Sequence, residues 1–264
     1  MGIAGNGRVV VVTGANGGIG YHLSIALLDE GYRVAGLDVD RERLEPLREA
    51  HQDRVCALDC DVTADDEVEA AVETVLDRWD RIDVLVNNAA IFEFAPFAEK
   101  TVADLRREFE VNYFGYVRTI RAVLPHMRAR NEGIVHNVSS GVGLVGHPGL
   151  SGYASTKGAI EALTRSLRLE LRDEDVWCTV MHPPLTRTPA AVEIGYPSFA
   201  MRDPAYVGRQ LAGKVESTGP VVTADLATRL GLALARWFPP LVKWGTERFV
   251  PAGETTAEGG TGEE

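Results

Sequence analysis

Tyr153 and Lys157 stand four residues apart at the start of a predicted helix over 153–172, so a phenol and an ammonium share one helical face and can reach a common ligand. A phenol is a weak base near neutrality, with an unperturbed pKa of about 10; an adjacent cation favours phenolate and brings it toward acid–base range. Ser140, thirteen residues upstream at the end of a predicted strand over 133–138, offers a hydroxyl for a substrate oxygen. Read alone, a tyrosine one helical turn before a lysine is equally an ordinary surface pair contributing about 0.2–0.5 kcal/mol. The elements that would hold these groups separate the two readings.

The most informative of those elements is 9–20, VVVVTGANGGIG. Four β-branched residues over 9–12 read as a buried strand, and 13–20 is a turn with glycines at 14, 17, 18 and 20. The turn leads into a helix whose apolar stripe is Ile19, Leu23, Ala26 and Leu27. Glycine there permits positive φ and lets a pyrophosphate approach the free N–H groups of a helix start. A strand, glycine turn and helix in this order make a dinucleotide cradle of Gly14, Asn16, Gly18, Ile19 and Gly20; the plainer alternative is a tight strand-to-helix turn. A second strand over 32–37 ends at Asp38, and an acid about 20 residues past such glycines accepts hydrogen bonds from the adenosine ribose and repels a 2′-phosphate. Asn16, Gly17 and Val39 supply no cation, although Arg41 is close in sequence. NAD is therefore expected over NADP, unless Asp38 only caps a helix over 41–50.

The pattern then repeats. A strand over 55–58 leads through Asp61-Val62-Thr63 to a helix over 65–78 with Val68, Val72, Val75 and Leu76 inward and Thr63 as its cap. A strand over 82–86 precedes Asn87-Asn88-Ala89-Ala90, at the carboxyl end where cofactors sit in such sheets. A long helix over 105–127 carries Val111, Phe114, Val117, Ile120 and Leu124 on one face, with Asn112 as a polar intrusion. Strands alternating with helices six times over predict a single-domain α/β fold, a doubly wound, Rossmann-like parallel sheet with helices on both faces.

At 264 residues one large core suffices. Cys56, Cys60 and Cys178 form no CxxC pair and leave an odd thiol, which suggests neither a disulfide framework nor a metal site and fits a reducing, cytoplasmic setting. The start resembles no signal peptide, and no stretch approaches a membrane span. A net charge of −11, four of whose acids are Glu254, Glu258, Glu263 and Glu264, argues against nucleic-acid binding. His136, His147 and His182 lie near the chemistry but lack ligand spacing and read as packing or capping groups.

Taken together, Thr13-Gly14-x-x-x-Gly18-x-Gly20, Asp61-Val62, Asn87-Asn88-Ala89, Asn112, Ser140, Tyr153-x-x-x-Lys157, and Pro183 with Thr188 resemble the short-chain dehydrogenase/reductase family, in its order and spacing, over about residues 8–190. The resemblance implies a hydride exchange between NAD(P)(H) and a secondary alcohol or ketone. By it, Tyr153 gives or takes the proton, Lys157 lowers its pKa and holds the nicotinamide ribose, Ser140 orients the substrate oxygen, and Asn112 supports a water relay. Asp61, Val62, Asn88, Ala89, Leu185 and Thr188 join the cradle and Asp38 as cofactor contacts, Thr188 at the carboxamide. Two positions depart from the family pattern, Ala90 and Pro184 standing where glycine is usual, and Pro184 fixes φ and removes an N–H beside the nicotinamide site.

Residues 185–201 lack a helical period and hold Pro189 and Pro197, which suggests a substrate lid extending to about 216. Asp203-Pro204 opens a helix, 221–222 is a last short strand, and a helix over 224–238 places Leu226, Leu230, Ala233, Leu234, Trp237 and Phe238 on one arc edged by Arg229 and Arg236. Pro239-Pro240 stops it. This ending resembles reductases of long-chain lipids or retinoids more than those of sugars and polyols, and favours a hydrophobic substrate. The arc suits a partner subunit, in a homodimer or homotetramer, or peripheral membrane contact. The domain is expected to run over 1–251, with 252–264 disordered. An NAD/NADH sensor without turnover, a sugar or polyol enzyme, and a nucleotide-bound epimerase or lyase are the competing readings.

Overall fold

The computed structural model describes residues 7–237 of the chain. Seven strands form one parallel sheet in the order β3-β2-β1-β4-β5-β6-β7. They are β1 (Val9–Thr13), β2 (Arg33–Asp38), β3 (Val55–Asp59), β4 (Val84–Asn87), β5 (Gly133–Val138), β6 (Val176–His182) and β7 (Val221–Thr223). Of these, β6 is a strand that the sequence pattern did not single out. The order reverses between β1 and β4, which opens a crevice at their carboxyl ends.

Every residue of β1 is buried because both sheet faces are covered. Val10 and Val12 pack with Leu23 and Leu27 of α1 (Gly18–Asp29) and with Val207 and Leu211 of α9 (Pro204–Ala212). Val9 and Val11 point the other way, toward Val68, Val72 and Val75 of α3 (Asp65–Trp79) and Ile120 and Val123 of α5 (Gly115–Arg130). Gly208 lets α9 approach α1 closely, since a Cβ there would lie 2.6 Å from the carbonyl oxygen of His22. The short α2 (Glu45–Ala50) follows β2.

Three local expectations are corrected. Thr63 does not cap α3: the residue before the helix is Ala64, and Thr63 instead donates its N–H to Asp61 Oδ1 at 2.8 Å, while Asp65, Asp66 and Glu67 complement the helix dipole. The single helix over 105–127 is in fact α4 (Val102–Phe109), a π-turn (Glu110–Phe114) and α5. The wider turn shifts the helical register, so Asn112, Tyr116, Thr119, Ile120, Val123 and Met127 face inward while Phe114 turns out, 45% exposed. Residues 185–201 contain a short helix, α8 (Pro189–Glu193), whose first turn is held by Thr188 Oγ1 accepting from the Ala191 N–H.

That segment is pinched at its base. Leu185 O accepts from Arg202 N at 2.8 Å, and Arg187 N donates to Arg202 O at 2.9 Å. Asp203 then caps α9, accepting from the N–H groups of Ala205 and Tyr206 as the sequence predicts. The remaining helices are α6 (Val142–Val145), α7 (Ser151–Glu170) and α10 (Leu226–Trp237). Phe238, the Pro239-Pro240 stop, the boundary at 251 and the 252–264 tail lie outside the described residues.

Candidate active site

A cleft of about 1440 Å³ runs along the carboxyl ends of the strands, over the β1/β4 switch point. Its wall begins with the glycine turn. Gly14 and Gly18 have φ of +65° and +49°, and a Cβ on Gly14 would lie 2.8 Å from Ala89 Cα. Thr13 Oγ1 accepts from the N–H groups of Asn88 and Ala89, both at 3.0 Å, while Asn88 Nδ2 donates to the carbonyls of Thr13 and Gly14. The two loops that a dinucleotide would bridge are thereby stapled together. Gly14, Gly18, Ile19, Asp38, Asp61, Val62, Asn88, Ala89, Leu185 and Thr188 all line the cleft, and so does Gly17, which the sequence did not assign.

Gly20 and Asn16 do not line it. A Cβ on Gly20 would lie 2.2 Å from Gly14 O, so that glycine serves close packing inside the turn. Asn16 donates its backbone N–H to Asp38 Oδ2 at 2.8 Å and accepts the Arg43 N–H on its side chain, which makes it a brace for Asp38. Asp38 caps no helix. Burial raises its pKa, against the opposing hydrogen bonds from the backbone of Asn16, Val39 and Asp40. The Arg41 guanidinium turns to Glu45 and Asp59, at 3.2 and 3.4 Å, and lies outside the cleft lining. The opening beside Asp38, between Leu37, Val39 and Val62, is acidic and apolar. Such a wall fits an adenosine, and the positive-φ cradle fits a pyrophosphate.

Deeper in the cleft lie Ser140, Tyr153 and Lys157. Lys157 is 1% exposed, and its Nζ donates to Val138 O at 2.9 Å and to the Tyr116 hydroxyl at 3.2 Å. Neither partner carries a charge, so burial drives its pKa down to about 7. Burial also pushes Tyr153 up to about 12; the Ser140 hydroxyl opposes this and the Tyr196 phenol adds to it. Burial, rather than the Lys157 charge, dominates the Tyr153 hydroxyl in the protein alone. The ammonium lies 5.4 Å from the centre of the Tyr153 ring and is itself penalised by the same dry surroundings.

Asn112 is held by the protein on both sides. Its amide accepts from Ile91 N and donates to Ile91 O, both at 2.8 Å, and also donates to Thr156 Oγ1 at 3.2 Å. Both amide hydrogens and one acceptor site of the oxygen are thereby used, and the side chain fixes the loop after β4 to α7. Tyr116 was missed, though it stands one turn after Asn112 on the same face. Phe92, whose ring meets Tyr153 edge-on at 5.7 Å, had no local signal. The histidines pack: His136 bonds Thr179 and Val215 O and is pushed by burial to about 4, His182 lies 2.7 Å from Glu161, and His147 sits between Phe94 and Tyr196. The three cysteines are buried free thiols.

Comparison with known proteins settles the family. A family model described as short chain dehydrogenase matches residues 8–196. The chain belongs to the short-chain dehydrogenase family. A 2-(R)-hydroxypropyl-CoM dehydrogenase of Xanthobacter autotrophicus is 35% identical over 189 residues, covering 69% of this chain and 76% of that protein. An L-fucose dehydrogenase of Oryctolagus cuniculus is 35% identical over 189 residues, 71% of this chain and 66% of that one. Among solved structures, a short-chain dehydrogenase from Streptomyces avermitilis superposes with a TM-score of 0.77 at 31% identity, covering 92% of this chain and 97% of the other. This short-chain dehydrogenase is thus an oxidoreductase of alcohols and ketones, in a family whose members bind NAD(P)(H). Among its described residues no helix is long and apolar enough to cross a membrane.

Proposed function

We propose that this enzyme interconverts an apolar secondary alcohol and its ketone, using NAD(H) in preference to NADP(H). The observation that carries the reading is the placement of Tyr153, Ser140 and Lys157 in the same cleft as the glycine cradle and Asp38. Bound there, the dinucleotide supplies or accepts the hydride. Tyr153 holds the proton: a phenol near pKa 12 is protonated at neutral pH and is poised to donate to a carbonyl oxygen as hydride arrives, while alcohol oxidation needs the reverse transfer and gains from alkaline pH. Ser140 orients that oxygen. Lys157 fixes the floor through Val138 O and Tyr116 and offers Nζ to a ribose, and Thr188, facing Gly18, closes the cradle.

The apolar substrate class is supported by the cleft walls around Tyr153, where Phe92, Val142, Val145, Leu150, Ile194 and Tyr196 present mostly carbon. A sugar substrate is the second reading, because the rabbit relative acts on L-fucose by name. A kinetic series from small polyols to long-chain secondary alcohols separates the two, and a maximum on the polyols overturns the first. For the cofactor, NADH is expected to bind about tenfold more tightly than NADPH, or about 1.4 kcal/mol. Asp38→Ala narrows that gap. Equal affinities in titration calorimetry of the unaltered protein refute the preference.

A further inference from the structure

We propose that α10 and the adjoining rim of the cleft seat this protein on an anionic lipid surface. With about 3.6 residues per turn, α10 has two apolar sides pointing in opposite directions. Thr228, Gly231, Leu232 and Ala235 line the cleft, with Leu232 against Gly141 beside α6. Leu226, Leu230, Leu234 and Trp237 face away and are 67%, 61%, 41% and 75% exposed. No residue of α10 is buried. A surface stripe of three leucines and a tryptophan is a costly arrangement in water and marks a contact site.

Two features select lipid over a second copy of the chain. The first is continuity with the cleft mouth, where α6, packed beside α10, adds exposed Leu144 and the cleft-lining Val145. A rigid protein partner covering this rim would seal the entrance. A fluid bilayer covers the same side chains and still lets an apolar molecule pass into the cleft. The second is charge: in a chain of net charge −11, α10 carries Arg229 and Arg236 and no acid. Arginines flanking an exposed Leu/Trp stripe match the boundary between acyl chains and anionic headgroups. The twelve described residues of α10 lie in the surface plane, with the Leu/Trp stripe toward the acyl chains.

The test uses the full chain with vesicles of phosphatidylcholine alone or mixed equally with phosphatidylglycerol, read by co-sedimentation and by tryptophan emission. The protein is expected to sediment with the anionic vesicles, with a blue shift that Trp237→Phe removes. Leu230→Glu combined with Trp237→Glu should weaken partitioning by about tenfold or more. Arg229→Gln and Arg236→Gln should each weaken it about fivefold on the anionic vesicles only. NADH titration of every variant shows that the fold is kept. Protein left in the supernatant with both compositions overturns the proposal. So does a double variant that lowers the mass seen by light scattering while vesicles have no effect, which assigns the stripe to a second copy. The readout needs no turnover, so an error in the substrate class leaves it intact.

Discussion

Asp83 and Lys157 are both fully buried ionisable side chains, placed at opposite ends of the same parallel sheet. Asp83, just before β4, accepts hydrogen bonds from the Val9 N–H, from Arg81 and from Arg130. Burial works against its anion, yet these donors hold the carboxyl below the ordinary range. Lys157, against the carboxyl end of β5, meets only a carbonyl and a neutral phenol, and burial takes its pKa down to about 7. One end of the sheet has its charge neutralised from within the protein. The other keeps a cation that only a bound molecule can complement, and an incompletely satisfied buried group is a mark of a working site.

The sharpest test of that contrast removes the proton carrier. Tyr153→Phe is expected to lower kcat by about 10²–10⁴ while leaving NADH affinity nearly unchanged, because in the proposed mechanism the phenol moves a proton and does not anchor the dinucleotide. A variant retaining more than about a hundredth of the rate, the low end for general acid–base catalysis, would contradict the role of Tyr153. At the closed end, Asp83→Asn should cost about 1–3 kcal/mol in urea unfolding, since it weakens a buried acceptor shared by the Val9 N–H and two arginines that keep Glu132 as a partner, with little loss of activity per folded molecule. Lys157→Met is the mirror experiment: activity is lost, while stability holds or rises because a desolvated cation disappears. Were the methionine variant as unstable as the Asp83 variant, the two ends would not differ in kind.

Smaller effects should appear in the pH dependence of stability. Asp83 has a folded pKa below its unfolded value of about 3.9, so its contribution is present above that value and is lost as pH falls through the folded one. Lys157 is depressed from about 10.4 in the unfolded chain, so the unfolded state binds more protons between pH 7 and 10, and stability should rise with pH across that window. Urea melts at several pH values check both signs. Asp83→Asn should remove the acid loss and Lys157→Met the alkaline gain.

Much of the fold was legible because its signals are local: β-branched runs for the central strands, a glycine turn before an apolar stripe, and Asp203-Pro204 at a helix start. That Tyr153, Lys157 and Ser140 share one cleft was foreshadowed by signals of the same local kind. The π-turn was not, since hydrophobic period does not report which carbonyl a given N–H will choose. Gly20 and Asn16 lie outside the cleft lining, and a motif marks a position without distinguishing contact with a ligand from packing beneath one. The Asp83 cluster gathers residues from β1, the loop before β4 and α5, and nothing in any single stretch announces it.

The pinched base of 186–202 bears on how such an enzyme changes its substrate. Because Arg202 closes hydrogen bonds with Leu185 and Arg187, the ends of this loop are tied to each other and its interior carries little of the sheet's alignment. Lengthening a loop between fixed ends costs only about 0.6 kcal/mol per doubling. Insertions, deletions or whole grafted segments between 188 and 201 can therefore be sampled with β6 and α9 left where they are. Divergence of specificity among related chains, and laboratory redesign of this one, can proceed by exchanging that module while the machinery for proton transfer stays unedited.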